Sequence, residues 1–590
     1  MYSQTRAVRK RVTSVLFLFL IMTLAAFGGC TERTTIVNDS ASNGTSAEQS
    51  SGVDSVAILE RVAVEQAITA TTRTSTAPVG PVVGPVSISQ DEIKRYTPDP
   101  TESDVTDIQR PHQVRLSLQD SISRALANNF RIKTEGYGPA ISAMDILSAE
   151  AVFDAVYFLD ANWEKTDRPG LGDATNVITS GYAASKGDQR TMTTGLRKAM
   201  PTGAILTGAY NLSRVNNSQL DLANIDPIYS DSFLVELRQP ILRGFGIDVN
   251  RAGIDAAKNN QKISKYQYRR TVRDVLFDVE QAYWRLVQAR RNVVIQKTLV
   301  DQTEETYKYL KQREDYDVYS VQITRVRALL GTRIAEYIQI KNSVKDAEDQ
   351  LKTLLNDPEL NLGEDIEIIP TDFPTLGPLV LDRVSEVQAA LECRSELHEA
   401  KLRIENARIN VAVTKNQALP RFDMIFRYTL NGLSDNAGNA FDQMSTSDFQ
   451  DYFIGINFEY PIGNRGPRAE QKKAILQRDQ AIAALKQVIE NVILEVDVAV
   501  RNLQTAYYQV PPSTEAVQAA QKNVEAIIAR MTKLSPEYLD VQLNAQSTMA
   551  DARRALLNAL VNYNIAIVQL ERAKDTILNY DNVSIQAECK

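Results

Sequence analysis

Two histidines, His112 and His398, and three cysteines, Cys30, Cys393 and Cys589, are all the imidazoles and thiols that 590 residues offer to metal ligation or nucleophilic chemistry. Neither histidine has a companion at metal-ligand spacing, so both read as structural or solvated. The glycine- and proline-rich stretch Gly80–Pro85 lacks the Lys-Ser/Thr pair and flanking strand that a phosphate-cradling loop requires. No nucleophile-base constellation marks a hydrolase. Cys393 and Cys589 could pair in an oxidising compartment, although nothing in their spacing brings them together. The expected inventory is therefore no catalytic residue, no metal and no cofactor. Composition excludes further classes. At 43% hydrophobic and 24% charged the chain is folded rather than wholly disordered. A mean hydropathy of -0.26 rules out many apolar spanning helices, and a net charge of -7 has the wrong sign for a nucleic-acid binder.

Cys30 has a context of its own. Arg6, Arg9, Lys10 and Arg11 precede an apolar run from Val15 to Gly29. That run is shorter than the roughly 20 residues of a spanning helix and has the flanks of an export signal. It ends Ala25-Ala26-Phe27-Gly28-Gly29-Cys30, which resembles the bacterial lipobox with Phe27 in place of the usual Leu. A signal peptide over 1–29 and lipidation at Cys30 are expected. Residues 30–115 are rich in Ser, Thr, Pro, Gly and Ala with weak apolar periodicity, a composition that buries too little surface to order itself, and read as a tether.

The remaining chain is a duplication. Ala125-Leu126, Phe153-Asp154 and Gln239-Pro240-Ile241 recur in order as Ala390-Leu391, Phe422-Asp423 and Tyr460-Pro461-Ile462. This gives repeat 1 over 116–360, a linker over 361–378, repeat 2 over 379–583 and a tail over 584–590. Repeat 1 carries an insertion in which Pro201-Thr202-Gly203 reads as a hairpin turn between two short strands. The strands alternate with period 2. Phe422, Met424, Phe426, Tyr428 and Leu430 share one face, as do Tyr452, Ile454, Ile456, Phe458 and Tyr460; Tyr157, Leu159, Ala161 and Trp163 repeat the pattern. Such alternation fits a half-buried soluble sheet or a membrane barrel wall equally.

Long helical stretches follow each Pro-Ile. Val272, Leu276, Val279, Tyr283 and Leu286 have coiled-coil spacing. So do Tyr337, Ile340, Val344, Ala347, Leu351 and Leu354, with Arg333 interrupting upstream, and Leu556, Leu560, Tyr563, Ile567 and Leu570. Pro511-Pro512 predicts a kink or break. If the strands lie in lipid, four or six per chain cannot close a barrel of about eight or more, so several chains must share one.

At this level of detail the chain resembles the TolC-type outer membrane efflux proteins, in their lipoprotein variety, over about Leu116 to Val583. The resemblance rests on Leu116-Ser117-Leu118-Gln119-Asp120, Ala125-Leu126-Ala127-Asn128-Asn129, Phe153-Asp154 and Gln239-Pro240-Ile241-Leu242-Arg243-Gly244-Phe245-Gly246. It continues through Arg394-Ser395-Glu396-Leu397, Ala418-Leu419-Pro420, Pro461-Ile462-Gly463-Asn464-Arg465, Leu543-Asn544-Ala545-Gln546 and Tyr563-Asn564-Ile565-Ala566.

The resemblance implies a mainly α protein with membrane β: a homotrimer whose 12-stranded or larger barrel in outer membrane lipid is continued by an α-helical barrel in the periplasm. It implies an export duct of a tripartite efflux or type I secretion system, working with a periplasmic adaptor (membrane fusion) protein and an inner-membrane pump, without nucleic acid. The residue reading keeps a lipid-anchored coiled-coil scaffold as the alternative. By the resemblance, Val318, Tyr319, Ser320, Leu534 and Ser535 sit at hairpin tips that meet the adaptor. Glu537, Asp540 and Asn544 are gate candidates, Asn544 standing where many relatives carry Asp. Pro240, Gly244, Gly246, Pro461 and Gly463 shape the strand-to-helix turns, where tight backbone is needed.

Overall fold

The computed structural model describes residues 94–96, 112–170, 183–217, 227–313, 318, 320–364, 366–377, 381–529 and 536–584. The expected signal peptide, Cys30, most of the tether, Tyr319, Leu534, Ser535 and Cys589 lie outside the described residues. The chain divides into two compact units. One comprises Asp145–Ala257 and Asn406–Arg478; the other comprises Lys258–Glu405, Asp479–Lys590 and the described residues before Asp145.

The first unit is built on a six-stranded sheet of β2 (Ala155–Gly170), β3 (Ala183–Ala199), β4 (Ile205–Asn217), β5 (Ile228–Pro240), β7 (Arg421–Ser434) and β8 (Phe449–Glu459), in that spatial order. Every neighbouring pair is antiparallel. The insertion of repeat 1 is thus a full hairpin, β3 and β4, set between β2 and β5. Its strands have 17 and 13 residues and are not short. The misjudged length has a simple origin: β3 reads AASKGDQRTMTTGLRKA, whose Gly, Thr and Lys residues give no alternating apolar signal. Among the described residues this sheet therefore has six strands.

The second unit is helical. It holds α1 (Leu118–Asn128), most of α2 (Phe130–Glu150) and nearly all of α3 (Ala252–Gln312). It also holds α4 (Ser320–Leu355), α5 (Arg383–Cys393) and part of α6 (Ser395–Gln417). Ser117 opens α1 with a capping box, its hydroxyl accepting from the Asp120 amide while Asp120 reaches back to Ser117. Without an internal proline α3 runs unbroken for 61 residues, about 90 Å of helix. Its seam Val272, Leu276, Val279, Tyr283 and Leu286 is buried throughout, each side chain stabilising by about 1.5–3 kcal/mol before ordering entropy is set against it.

A short α7 (Ala437–Thr446) in the first unit is followed by the 65-residue α8 (Arg465–Ala529) and by α9 (Pro536–Lys574). Leu557, Val561 and Val568 of α9 enter the core built on α3, while its Tyr563, Ala566, Leu570 and Ala573 enter the core built on α5, α6 and α8. One helix thereby serves both repeats. The break expected at Pro511-Pro512 is absent, since helix continues through both prolines. The prolines withdraw the amides that the carbonyls of Tyr507 and Tyr508 would otherwise meet, while just downstream the Ser513 and Thr514 hydroxyls donate to the carbonyls of Gln509 and Val510.

The tether and linker readings also need amendment at their edges. β1 (His112–Leu116) and β6 (Ile366–Pro370) form a parallel pair, and Ile366 and Ile368 are buried in the α3 core. Five residues are too few for a periodicity signal, and the partner strand is some 250 residues away. Buried Arg290 fastens the pair by donating to Glu367 at 2.9 Å and to the Ile368 carbonyl at 3.2 Å.

Candidate functional site

The six strands place two chemically different faces back to back. One face carries Tyr157, Leu159, Leu196, Leu206, Leu237, Phe426, Ile454, Ile456 and Phe458, held in line by the cross-strand register. Ile454, Ile456 and Phe458 are 74%, 67% and 62% exposed. A half-buried soluble sheet would cover this side with other elements of the chain; here it is left exposed, which suits a wall against lipid. The opposite face carries ion pairs and side-chain amides, together with the exposed Val156, Phe449 and Phe453. Arg427 donates to Glu236 through Nε at 3.0 Å and Nη2 at 2.8 Å. Arg421 Nε donates to buried Asp423 at 2.8 Å, Thr193 to Asn211 at 3.0 Å and Asn431 to Asp451 at 2.7 Å. Ion pairs and side-chain amides on this face suit water, so the sheet can separate lipid from an aqueous space.

Strands pass into helices through two glycine turns. After Pro240, Gly244 and Gly246 have φ of 85° and 113°, in the region that glycine favours. Asn250 Nδ2 donates to both glycine carbonyls, at 2.9 and 2.8 Å. Asn416, near the end of α6, accepts from the Gly244 amide and donates to the carbonyls of Leu242 and Phe245. After Pro461, Gly463 has φ 90° and Asn464 φ 44°, with Asn464 Nδ2 donating to the Ala418 carbonyl at 2.7 Å. The bracing asparagines, Asn250 and Asn416, escape sequence reading because a helical asparagine carries no local sign of a distant carbonyl.

In the helical unit, Val318 is buried with Leu310, Val326, Leu539 and Leu543, whereas Ser320 is exposed. Asp540 accepts from Arg325 Nη1 at 2.7 Å, so this carboxylate has a cationic partner within its own chain. Asn544 is exposed, and its carbonyl accepts from the Thr548 hydroxyl. Glu537 lies in the first turn of α9. Arg333, which interrupts the α4 seam, is buried; it donates to the Leu543 carbonyl at 3.0 Å and to the Thr303 hydroxyl. Arginine here bridges three helices.

The Arg394-Ser395-Glu396 motif is a structural junction. Ser395 donates to the buried Asp575 carboxylate through its amide at 2.8 Å and its hydroxyl at 2.6 Å. Arg273 Nη2 meets Glu396 at 2.9 Å. Burial works against Glu396 ionising, but the Arg273 hydrogen bonds and charge outweigh it and hold the carboxyl down at about 2. Glu280 is the opposite case: burial, then the charge of Asp581, push its carboxyl well up. His398 stacks on Tyr266 with ring centroids 5.0 Å apart, and Cys393 is a free thiol. Among the described residues no cluster of His, Cys, Asp and Glu has the makings of a metal site.

Comparison with known proteins bears on this arrangement. The family model described as outer membrane efflux protein matches residues 205–357 and 387–574, more than half of the chain. Outer membrane protein TolC of Vibrio cholerae serotype O1 is 22% identical over 405 residues, covering 67% of this chain and 87% of that one. Among solved structures, the outer-membrane channel OprN superposes with a TM-score of 0.57 at 15% identity, over 78% of this chain and 90% of that one. The CmeC outer membrane channel of Campylobacter jejuni gives 0.56 at 17% identity, over 78% and 86%. At such identities the superpositions establish a common fold. Together with an exposed apolar face backed by ion pairs and side-chain amides, the family match shows that this chain belongs to the outer membrane efflux proteins, TolC-like channels of the outer membrane with a long periplasmic portion.

Proposed function

We propose that three copies of the chain close their sheets into one outer-membrane barrel and that their long helices form the periplasmic part of the same conduit. The observation that carries this reading is the six-stranded sheet with its apolar side exposed and its two outer strands, β2 and β8, each paired on one side only. In lipid, a row of unpaired backbone groups costs several kcal/mol per group, so the edges call for other chains. The polar face, with Glu236, Arg427 and Asp423, then lines the water-filled passage.

The conduit serves an export system of the tripartite efflux or type I secretion kind, receiving cargo from an inner-membrane pump through a periplasmic adaptor. Val318, Tyr319, Ser320, Leu534 and Ser535 mark the tips that meet the adaptor; Glu537, Asp540 and Asn544 mark the constriction. Pro240, Gly244, Gly246, Pro461 and Gly463 set the turns between barrel and helices. Cys30 carries the lipid. Selectivity at such a constriction would come from symmetric repetition of one carboxylate, which concentrates negative potential. The test is conductance of the purified oligomer in a planar bilayer: discrete long-lived openings are expected. A chain that inserts and stays electrically silent would instead be a lipid-anchored scaffold.

A further inference from the structure

A cross-strand row of paired cations and aromatic rings interrupts the apolar face. Trp163 on β2 stands opposite Arg190 on β3, Arg190 opposite Arg214 on β4, and Arg214 opposite Tyr229 on β5. The Arg190 guanidinium lies 5.1 Å from the Trp163 ring centroid and that of Arg214 5.9 Å from the Tyr229 ring. One row further along, on the same face, Lys165 stands opposite Asp188. Asp188 accepts from Trp163 Nε1 at 2.8 Å and from Arg190 Nη2 at 3.4 Å. The charge of Arg214 also bears on Asp188; a second carboxylate on this face, buried Asp231 in the adjoining row, accepts from the Tyr210 hydroxyl at 2.8 Å, and the buried Nε of Arg214 has no hydrogen-bond partner. The row lines an open concavity of about 510 Å³ with Met192 and Leu212 as its apolar floor.

Two observations place this row at the edge of the hydrocarbon. Trp163 is eight residues beyond Ala155 along β2, about 26 Å of strand and about 20 Å of height at a usual tilt, close to the full height of a barrel's apolar band. Independently, α7 lies on the same face one row away. A Cβ on Gly432, which shares a row with Asp231, Leu212 and Met192, would come within 2.0 Å of the Ala440 carbonyl. Ala440 and Met444 are buried while Phe441 is exposed. An amphipathic helix laid along an apolar wall belongs at a membrane interface. Arginines at the midplane of a lipid-facing wall cost about 2–4 kcal/mol, falling to about 0–1 at the interface. Two of them directly opposite one another repel, and Asp188, 3.4 Å from Arg190 alone, offsets that repulsion in part.

We propose that Arg190 and Arg214 bind the phosphate of an anionic lipid headgroup in the outer leaflet, with Trp163 and Tyr229 flanking it at the level where acyl chains begin. Paired guanidinium groups suit phosphate oxygens, and aromatic rings suit the boundary between headgroup and chain. This rests on the reading that the apolar face meets lipid.

The experiment separates the two. The full chain is placed in nanodiscs, and the emission lost in Trp163→Phe is taken as the Trp163 signal. Quenching of that signal by phosphatidylcholine with brominated acyl chains is expected; its absence overturns the lipid-facing wall and the site together. Lipid retention is then read by native mass spectrometry in mixtures of phosphatidylcholine with phosphatidylglycerol or lipid A. The wild type should retain the anionic lipid about fivefold better than the R190Q/R214Q variant, and R190K/R214K, which keeps charge and fold, should fall between. Equal retention in all three with Trp163 still quenched overturns the headgroup site alone. Displacement of the lipid by millimolar inorganic phosphate also overturns it, since it would identify a free-anion site.

Discussion

The amide of Gly244 donates to Oδ1 of Asn416 at 2.7 Å, across 172 residues of sequence. The same side chain donates to two further carbonyls of that turn, Leu242 and Phe245. Asn416→Ala should therefore destabilise by about 1–3 kcal/mol, the cost of leaving several turn groups unpaired, and should lower the thermal midpoint. Asn416→Asp, which keeps the acceptor for Gly244 and loses both donors, should fall between wild type and alanine. A midpoint unchanged in Asn416→Ala would remove the brace from the account.

Gly203 packs against the same turn. It has φ 93°, and an added Cβ would lie 2.1 Å from the Gly244 carbonyl oxygen; around Gly246, with φ 113°, the space is open. Gly203→Ala should cost more than about 3 kcal/mol through strain and overlap, against about 1–2 kcal/mol for Gly246→Ala through strain alone. Parallel melting curves check the order, and equal losses would contradict the packing argument.

Buried Arg333 joins α4 to α3 and α9 through Thr303 and the Leu543 carbonyl. Its replacement by alanine should cost about 2–4 kcal/mol, whereas Arg327→Ala, on the exposed side of the same helix, should stay within about 0.5 kcal/mol. Denaturant unfolding gives both values.

The ion pair between Arg325 and Asp540 bears on the proposed constriction. Both groups are substantially exposed, so breaking the pair should change stability by less than about 1 kcal/mol. Freed of its partner, the Asp540 carboxylate should attract cations more strongly. Single-channel recording should then show trivalent-cation block strengthened in Arg325→Ala and weakened in Asp540→Asn. Identical block in both variants and wild type would take Asp540 out of the gate.

Glu280 and Asp581 make stability depend on pH. Burial, and then the neighbouring Asp581 charge, raise the Glu280 carboxyl; burial also raises Asp581, with Glu571 adding to it. A carboxyl raised on folding binds its proton more tightly in the folded chain. Its stabilising contribution is complete below the unfolded value of about 4.3 and declines as pH rises toward the folded value. Glu396, held down at about 2, contributes evenly from pH 5 to 8. Melting should accordingly fall between pH 5 and pH 8, and Glu280→Gln should flatten that fall. A slope unaffected by the substitution would assign the dependence to other groups.

Seams and strand ends were legible because each is a local pattern repeated many times. Val272 through Leu286 announce their burial by spacing alone, and Pro-Ile marks the end of β5 and lies just beyond β8. Pairings whose partner is remote left no such trace. The β1–β6 ladder is five residues long, Asn416 acts on a turn 172 residues earlier, and Arg333 appears as a flaw in a seam until the Leu543 carbonyl is placed beside it. Proline is a local rule that yielded to context, since α8 retains helix through Pro511-Pro512, with Val510 and Val517 buried on either side of them. The alternation of the sheet's two faces was legible too, whereas the absence, among the described residues, of any covering element over the apolar residues of β8 is a property of the fold that alternation does not carry.

The β3–β4 hairpin has one more consequence. Because every neighbour in the sheet is antiparallel and the strands number six, β2 and β8 point in opposite directions. In a ring of copies related by rotation, as proposed above, β8 of one copy beside β2 of the next would make an antiparallel seam, whatever the number of copies. An insertion of a single strand would reverse that parity and make such a seam parallel; an insertion by hairpin leaves it intact.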